Sequence, residues 1–128
     1  LAGQPHYDVD AQEVTRGGVS YTIDTVRDYR RRFPDARLFW LIGADHVAKL
    51  PLWRDAEELA ASVEFLVIPR PGEPSVPFPA PFRGAMLKGF PLGVSSSQIR
   101  ARAKAGLPVD LLTGPVVAEA IRANRLYL

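Results

Sequence analysis

The chain has 128 residues, with 16 basic and 14 acidic side chains for a net charge of +2, and is 47% hydrophobic and 23% charged. That is ordinary globular composition, enough for one core and short for two, and so small a charge excess predicts no general attraction to nucleic acid. With no cysteine, and His6 and His46 as the only histidines, disulfides and thiolate metal sites are excluded and a structural zinc site is not expected. No apolar run approaches the roughly 18 residues of a membrane span, so a cytoplasmic protein is expected.

Residues 1–4 read as the tail of a helix, and Tyr7-Asp8-Val9-Asp10 alternates like a strand or strand edge. Gly17-Gly18 marks a turn. A helix then starts in Ser20-Tyr21-Thr22-Ile23-Asp24-Thr25, whose hydroxyls and first-turn acid suit an amino end. Ile23, Val26, Tyr29 or Arg30, and Phe33 recur at helical spacing before Pro34 ends it. Arg30-Arg31-Arg32 sits where cations complement exposed carbonyls. Without aromatic interleaving it reads as a solvated helix end rather than a nucleic-acid contact.

Leu38-Phe39-Trp40-Leu41-Ile42 is an uninterrupted apolar run and predicts a central strand covered on both faces, ending at Gly43. Beyond the carboxyl end of such a strand, Gly43 admits a ligand to the backbone and Asp45 can accept from its hydroxyls; the alternative is a tight turn with Asp45 as a helix cap. Residues 44–50 predict a short helix stopped by Pro51. Ala56, Leu59, Ala60 and Val63 mark a second helix, and Phe65-Leu66-Val67-Ile68 a second buried strand. Together these make a βαβ unit and a parallel sheet.

The six prolines between 69 and 81 predict an extended, irregular surface segment. Ala85-Met86-Leu87 and Leu92-Gly93-Val94 look like one interrupted strand. Ser95 or Ser96 then caps a helix ending at Gly106, with three hydroxyls at its amino end and Arg100 one turn in. That suits a phosphate, or is an ordinary capped helix. A last helix from Thr113-Gly114-Pro115 packs Val117, Ala120 and Ile121.

In this order, Ser20-Tyr21-Thr22-Ile23-Asp24-Thr25, Gly43-Ala44-Asp45, Trp53-Arg54, Pro69-Arg70-Pro71-Gly72 and Val94-Ser95-Ser96-Ser97-Gln98-Ile99-Arg100 resemble the bacterial nicotinate-nucleotide adenylyltransferases of the nucleotidyltransferase superfamily. The resemblance spans essentially the whole chain. Its last segment corresponds to I-S-S-T-x-I-R, with Val for Ile and Ser for Thr, and is shared with the pantetheine-phosphate enzymes. The specific part is the Ser20 segment together with Trp53.

The resemblance implies an α/β fold, a Rossmann-like parallel sheet with flanking helices, in which residues 1–128 form a single nucleotidyltransferase domain incomplete at its amino end. It implies transfer of the adenylyl group of ATP to nicotinate mononucleotide, with magnesium, giving deamido-NAD and pyrophosphate. Trp53 would stack on the pyridine ring, Thr22 hold the nicotinate carboxylate, and Gly43 and Asp45 contact the nucleotide ribose. Val94 would lie against adenine, while Ser96, Ser97 and Arg100 hold the ATP phosphates, with Arg100 stabilising the charge that spreads during transfer. No nucleic-acid or membrane partner is implied, and a homo-oligomer is admitted.

The superfamily's His-x-Gly-His motif has no counterpart: His6 precedes Tyr7-Asp8 and His46 precedes Val47-Ala48. Both histidines read as non-catalytic, His6 in a loop and His46 exposed on a helix. Since the chain opens on Leu1 rather than Met, it is expected to be the carboxyl-terminal portion of a longer enzyme, to expose an unpaired strand edge, and to show negligible turnover alone. The competing reading is a non-catalytic nucleotide-binding or assembly module that retains the mononucleotide pocket.

Overall fold

The computed structural model describes residues 5–69, 76–88 and 93–127. The chain divides into two compact units, residues 1–90 and 91–128. In the first unit, α1 (Gln12–Arg16) and α2 (Thr22–Arg32) precede a three-stranded parallel sheet of β1 (Phe39–Gly43), β2 (Glu64–Ile68) and β3 (Gly84–Met86), in the order β1-β2-β3. Parallel neighbours cannot be joined by a tight turn, so the chain crosses from β1 to β2 through a 3-10 helix (Ala44–Leu52) and α3 (Ala56–Ser62). Gly43 pairs with Ile68, so both strands end level at the edge where the crossover begins.

One face of the sheet carries the core. Phe65 and Val67 of β2 and Ile42 of β1 pack with Ile23 and Val26 of α2, Val47 and Leu50 of the 3-10 helix, and Leu59 of α3. Full burial of each large side chain stabilises the fold by about 1.5–3 kcal/mol. The opposite face is open: Phe39 is 46% exposed, Leu41 56% and Ile68 44%. This corrects the expectation of a central strand covered on both faces. β1 is an edge strand, and period-2 alternation turns Phe39 and Leu41 away from the core. An apolar run says that both faces suit cover; among the described residues one face receives it.

Residues 7–10 form no strand, and Tyr7 and Val9 are exposed; a short helix, α1, follows where only a turn was expected. The turn itself is present, with Gly17 and Gly18 both at positive φ. No side-chain hydroxyl caps α2, whose N-cap is Tyr21; Thr25 instead turns inward and its hydroxyl donates to Glu13 Oε1 at 2.6 Å. Phe33 lies outside the core, stacked on Tyr29 at 6.2 Å. Pro51 lies inside the 3-10 helix rather than ending it, because i to i−3 turns avoid the i−4 ladder that proline interrupts.

The arginine run is not a free solvated end. Arg30 donates to the carbonyls of Ser62 and Ala36, Arg31 pairs with Asp28, and Arg32 pairs with Asp10 and Asp28. The proline-rich segment is irregular over 76–81 as expected, yet it is not merely surface: Phe78 packs against the core. Just beyond it Phe82 is buried, its ring 5.7 Å from that of Phe65. The readings for residues 1–4, 70–75 and 89–92 lie outside the described residues, and residues 93–95 form no strand.

The second unit contains α4 (Ser96–Lys104), α5 (Asp110–Thr113) and α6 (Pro115–Ala123) around Ala103, Val109, Ala118 and Ile121. Ser95 caps α4 and Gly106, at φ +67°, follows its end, both as read from the sequence. The inner face of α6 is Ala118 with Ile121; Val117 and Ala120, expected inside, are exposed. Among the described residues no helix is long and apolar enough to cross a membrane.

Candidate functional site

In the first unit the candidate residues gather around the carboxyl end of β1. Gly43 closes the strand in extended geometry (φ −77°, ψ 156°) and is the N-cap of the 3-10 helix, so the following residues turn away from the sheet edge and leave the end of β1 approachable. Asp45 stands in the first turn, exposed, and the N-cap position belongs to Gly43 rather than to Asp45. The next residue, His46, holds its Nε2 3.7 Å from Asp45 Oδ2.

Trp53 follows the far end of the same helix, its backbone N–H donating to Leu50 O at 3.1 Å. The indole is half-buried, as its polar sequence neighbours suggested. Its inner contact is Phe65, with ring centroids 6.3 Å apart at 80°; its outer contact is His46, 6.1 Å away at 73°. Sequence spacing gave no warning of this His46 contact, since a seven-residue offset in an irregular helix has no fixed facing.

Two further contacts hold the Trp53 segment to α2. The Arg54 guanidinium lies 4.5 Å from the centre of the Tyr21 ring, a cation–π contact that brings the residue after Trp53 to the residue before Thr22. Asp55, at φ +50°, accepts from Arg27 at 2.8 Å. Arg27 also bonds Glu58 and Asp24, and Glu58 first, then Asp55, raise its pKa above the ordinary guanidinium value. Thr22 opens α2, half-buried, at an amino end that no side chain caps. Asp24 with Arg27, and Asp55 with Glu58, show i, i+3 spacing in the sequence; their meeting across two helices does not.

In the second unit Val94 is half-buried and Ser95 Oγ accepts from Gln98 N at 3.2 Å. Capping thus falls to Ser95, leaving Ser96 and Ser97 exposed in the first turn, where Arg100 Nη2 donates to Ser97 Oγ at 3.3 Å. Cation, hydroxyls and helix amino end together can hold a phosphate. Among the described residues no three His, Cys, Asp or Glu come together to hold a metal.

The profile of the cytidylyltransferase-like family matches residues 5–102. The chain belongs to that family. Among curated relatives, the probable nicotinate-nucleotide adenylyltransferases of Corynebacterium kroppenstedtii and Opitutus terrae are 36% and 39% identical over 99% and 94% of this chain. That of Frankia alni is 39% identical over 98% of it. The chain covers 62%, 63% and 67% of these three proteins, so it spans less than two thirds of the first two.

Two solved structures of the Plasmodium falciparum nicotinic acid mononucleotide adenylyltransferase, one complexed with NaAD and one with APC, superpose with TM-scores of 0.66 at 18% identity. They cover 85% and 87% of this chain and 58% and 60% of theirs. The fold is therefore the nucleotidyltransferase fold: a parallel sheet with flanking helices. Family members of this kind typically use divalent metal ions.

Proposed function

We propose that this chain carries the mononucleotide pocket and the phosphate-holding helix of a nicotinate-nucleotide adenylyltransferase acting in NAD synthesis. The observation that carries the reading is Trp53: half-buried, backed by Phe65, and set after a turn of Gly43 and Asp45 at the carboxyl end of a parallel strand. It is supported by relatives bearing that enzyme's name at 36–39% identity and by the NaAD complex of the Plasmodium protein. His46 and Phe65 both stand steeply to the indole, so neither is stacked parallel on it, the arrangement this reading gives to the pyridine ring.

In this reading Trp53 stacks on the pyridine ring, Thr22 at the uncapped start of α2 receives the nicotinate carboxylate, and Gly43 with Asp45 contacts the ribose. Val94 lies against adenine, while Ser96, Ser97 and Arg100 hold the triphosphate. A phosphate oxygen of nicotinate mononucleotide attacks the α-phosphorus of ATP in line, the bond from that phosphorus to the bridging oxygen breaks, and pyrophosphate leaves with the electron pair. Little covalent help is needed. Positioning and stabilisation of spread negative charge do the chemistry, and Arg100 is the chain's contribution to the second. Magnesium, carried in with ATP, would neutralise charge on its phosphates. Residues 1–128 belong to one nucleotidyltransferase domain, in the cytoplasm.

Calorimetry with nicotinate mononucleotide tests the reading. The chain binds it, and Trp53→Ala loses about tenfold or more in affinity, from the ~1–3 kcal/mol of stacking a base on an aromatic ring. No binding, or binding indifferent to Trp53, refutes the assignment.

A further inference from the structure

We propose that His46 is a positioning residue of this pocket, resting on the mononucleotide reading above. The sequence treats His46 as an exposed helix residue with no task. The structure gives it two contacts, both with ligand-facing groups of the reading: Nε2 is 3.7 Å from the Asp45 carboxylate, and the ring stands edge-on to Trp53 with centroids 6.1 Å apart.

The geometry explains why a positioner is needed. Trp53 follows the end of the 3-10 helix and is only half-buried, with Phe65 as its support on the core side. An indole with one fixed side can rock about χ1 and χ2 in the wells its backbone allows. His46 supplies a second ring contact, inclined 73° to the indole rather than stacked parallel on it. The same imidazole stands beside Asp45, so the carboxylate assigned to the ribose and the ring assigned to the base share one neighbour. The ligand's two recognition elements are thereby kept at a fixed spacing before it arrives, which reduces the ordering cost of binding.

An edge-on aromatic pair contributes enough to change an affinity about two- to tenfold. His46→Ala therefore weakens nicotinate mononucleotide binding by that factor. His46→Phe, which keeps the ring contact and drops the polar one, recovers most of the loss. In a Trp40→Phe background, where Trp53 is the only tryptophan, His46→Ala lowers the fluorescence anisotropy of the unliganded protein and His46→Phe restores it. A mere loss of stability would not be repaired ring for ring.

The outcomes separate this inference from the reading beneath it. If Trp53→Ala impairs binding and His46→Ala does not, the positioning role is wrong and the pocket stands. If the mononucleotide fails to bind, or Trp53→Ala is silent, the pocket reading falls and the inference falls with it. Equal anisotropy for Trp53 in wild-type and His46→Ala backgrounds overturns the positioning role whatever the ligand does.

Discussion

Gly84 is the position where the packing makes its sharpest demand. It opens β3 opposite Phe65, and a Cβ added there would stand 2.2 Å from the Phe65 carbonyl oxygen, 2.9 Å from its carbonyl carbon and 2.5 Å from Phe78 Cζ. The Phe78 ring can swing aside, but the Phe65 peptide cannot move without β2. Nor can β3 retreat freely, since Phe65 N donates to Arg83 O at 2.8 Å. Overpacking typically costs about 1–3 kcal/mol, and stretching that hydrogen bond adds about 1 kcal/mol, so Gly84→Ala should cost ~2–4 kcal/mol. Urea unfolding followed by circular dichroism at 25 °C would read this as a lower midpoint at unchanged slope. Because Phe65 backs Trp53, affinity for nicotinate mononucleotide should fall with stability. Gly17→Ala is the comparison: a Cβ there meets nothing within 4 Å, and only the backbone at φ +68°, ψ 176°, a region essentially confined to glycine, opposes it, at about 1–3 kcal/mol. A Gly84→Ala protein within about 0.5 kcal/mol of wild type would refute the steric argument.

Two other perturbations probe the electrostatics and the capping. Arg32, then the Gln12 N–H and the Tyr29 hydroxyl, hold the Asp10 carboxyl well below the usual carboxylate range. A depressed carboxylate stabilises the fold above its unfolded pKa and stops doing so as pH falls through the folded one. Asp10→Asn should therefore be less stable than wild type at neutral pH, with the gap closing as the pH drops below the ordinary value of 3.8; a gap independent of pH in urea titrations would exclude the linkage. Ser95→Ala removes the acceptor for Gln98 N, costing ~1 kcal/mol, which should speed hydrogen exchange at that amide about fivefold. Unchanged protection would show that the cap contributes nothing.

What the sequence disclosed were the features that depend on near neighbours in the chain. Two apolar runs joined by some twenty helix-forming residues can close only as parallel strands with a crossover, and Ser95 with Gly106 brackets α4 as caps and breakers do. Positions decided by distant partners stayed hidden. The run ending at Ile42 carries no sign of which face will be covered, so Phe39 and Leu41 were misjudged as interior. Phe78 reads as part of a proline-rich surface strip, whereas it packs against the core. The same limit governed the site: Gly43, Asp45 and Trp53 are visible as a motif, whereas the Arg54 contact with Tyr21 and the Arg27 bonds to Asp55 and Glu58 join segments about thirty residues apart.

Those hidden contacts account for how a half-exposed tryptophan is held in place. His46, Trp53, Phe65 and Phe82 form a continuous row of steeply inclined rings from the exposed edge to the core, at centroid spacings of 6.1, 6.3 and 5.7 Å. Phe65 is fully buried and lies on the middle strand, so its position is fixed by the sheet rather than by the loop that carries Trp53. The loop is secured separately, through Arg54 on Tyr21 and Asp55 on Arg27. Trp53 is therefore restrained through its ring by the core and through its backbone by α2. An indole restrained both ways loses little further freedom when a flat ligand stacks on it, so its contact area is converted to affinity with a small entropic offset.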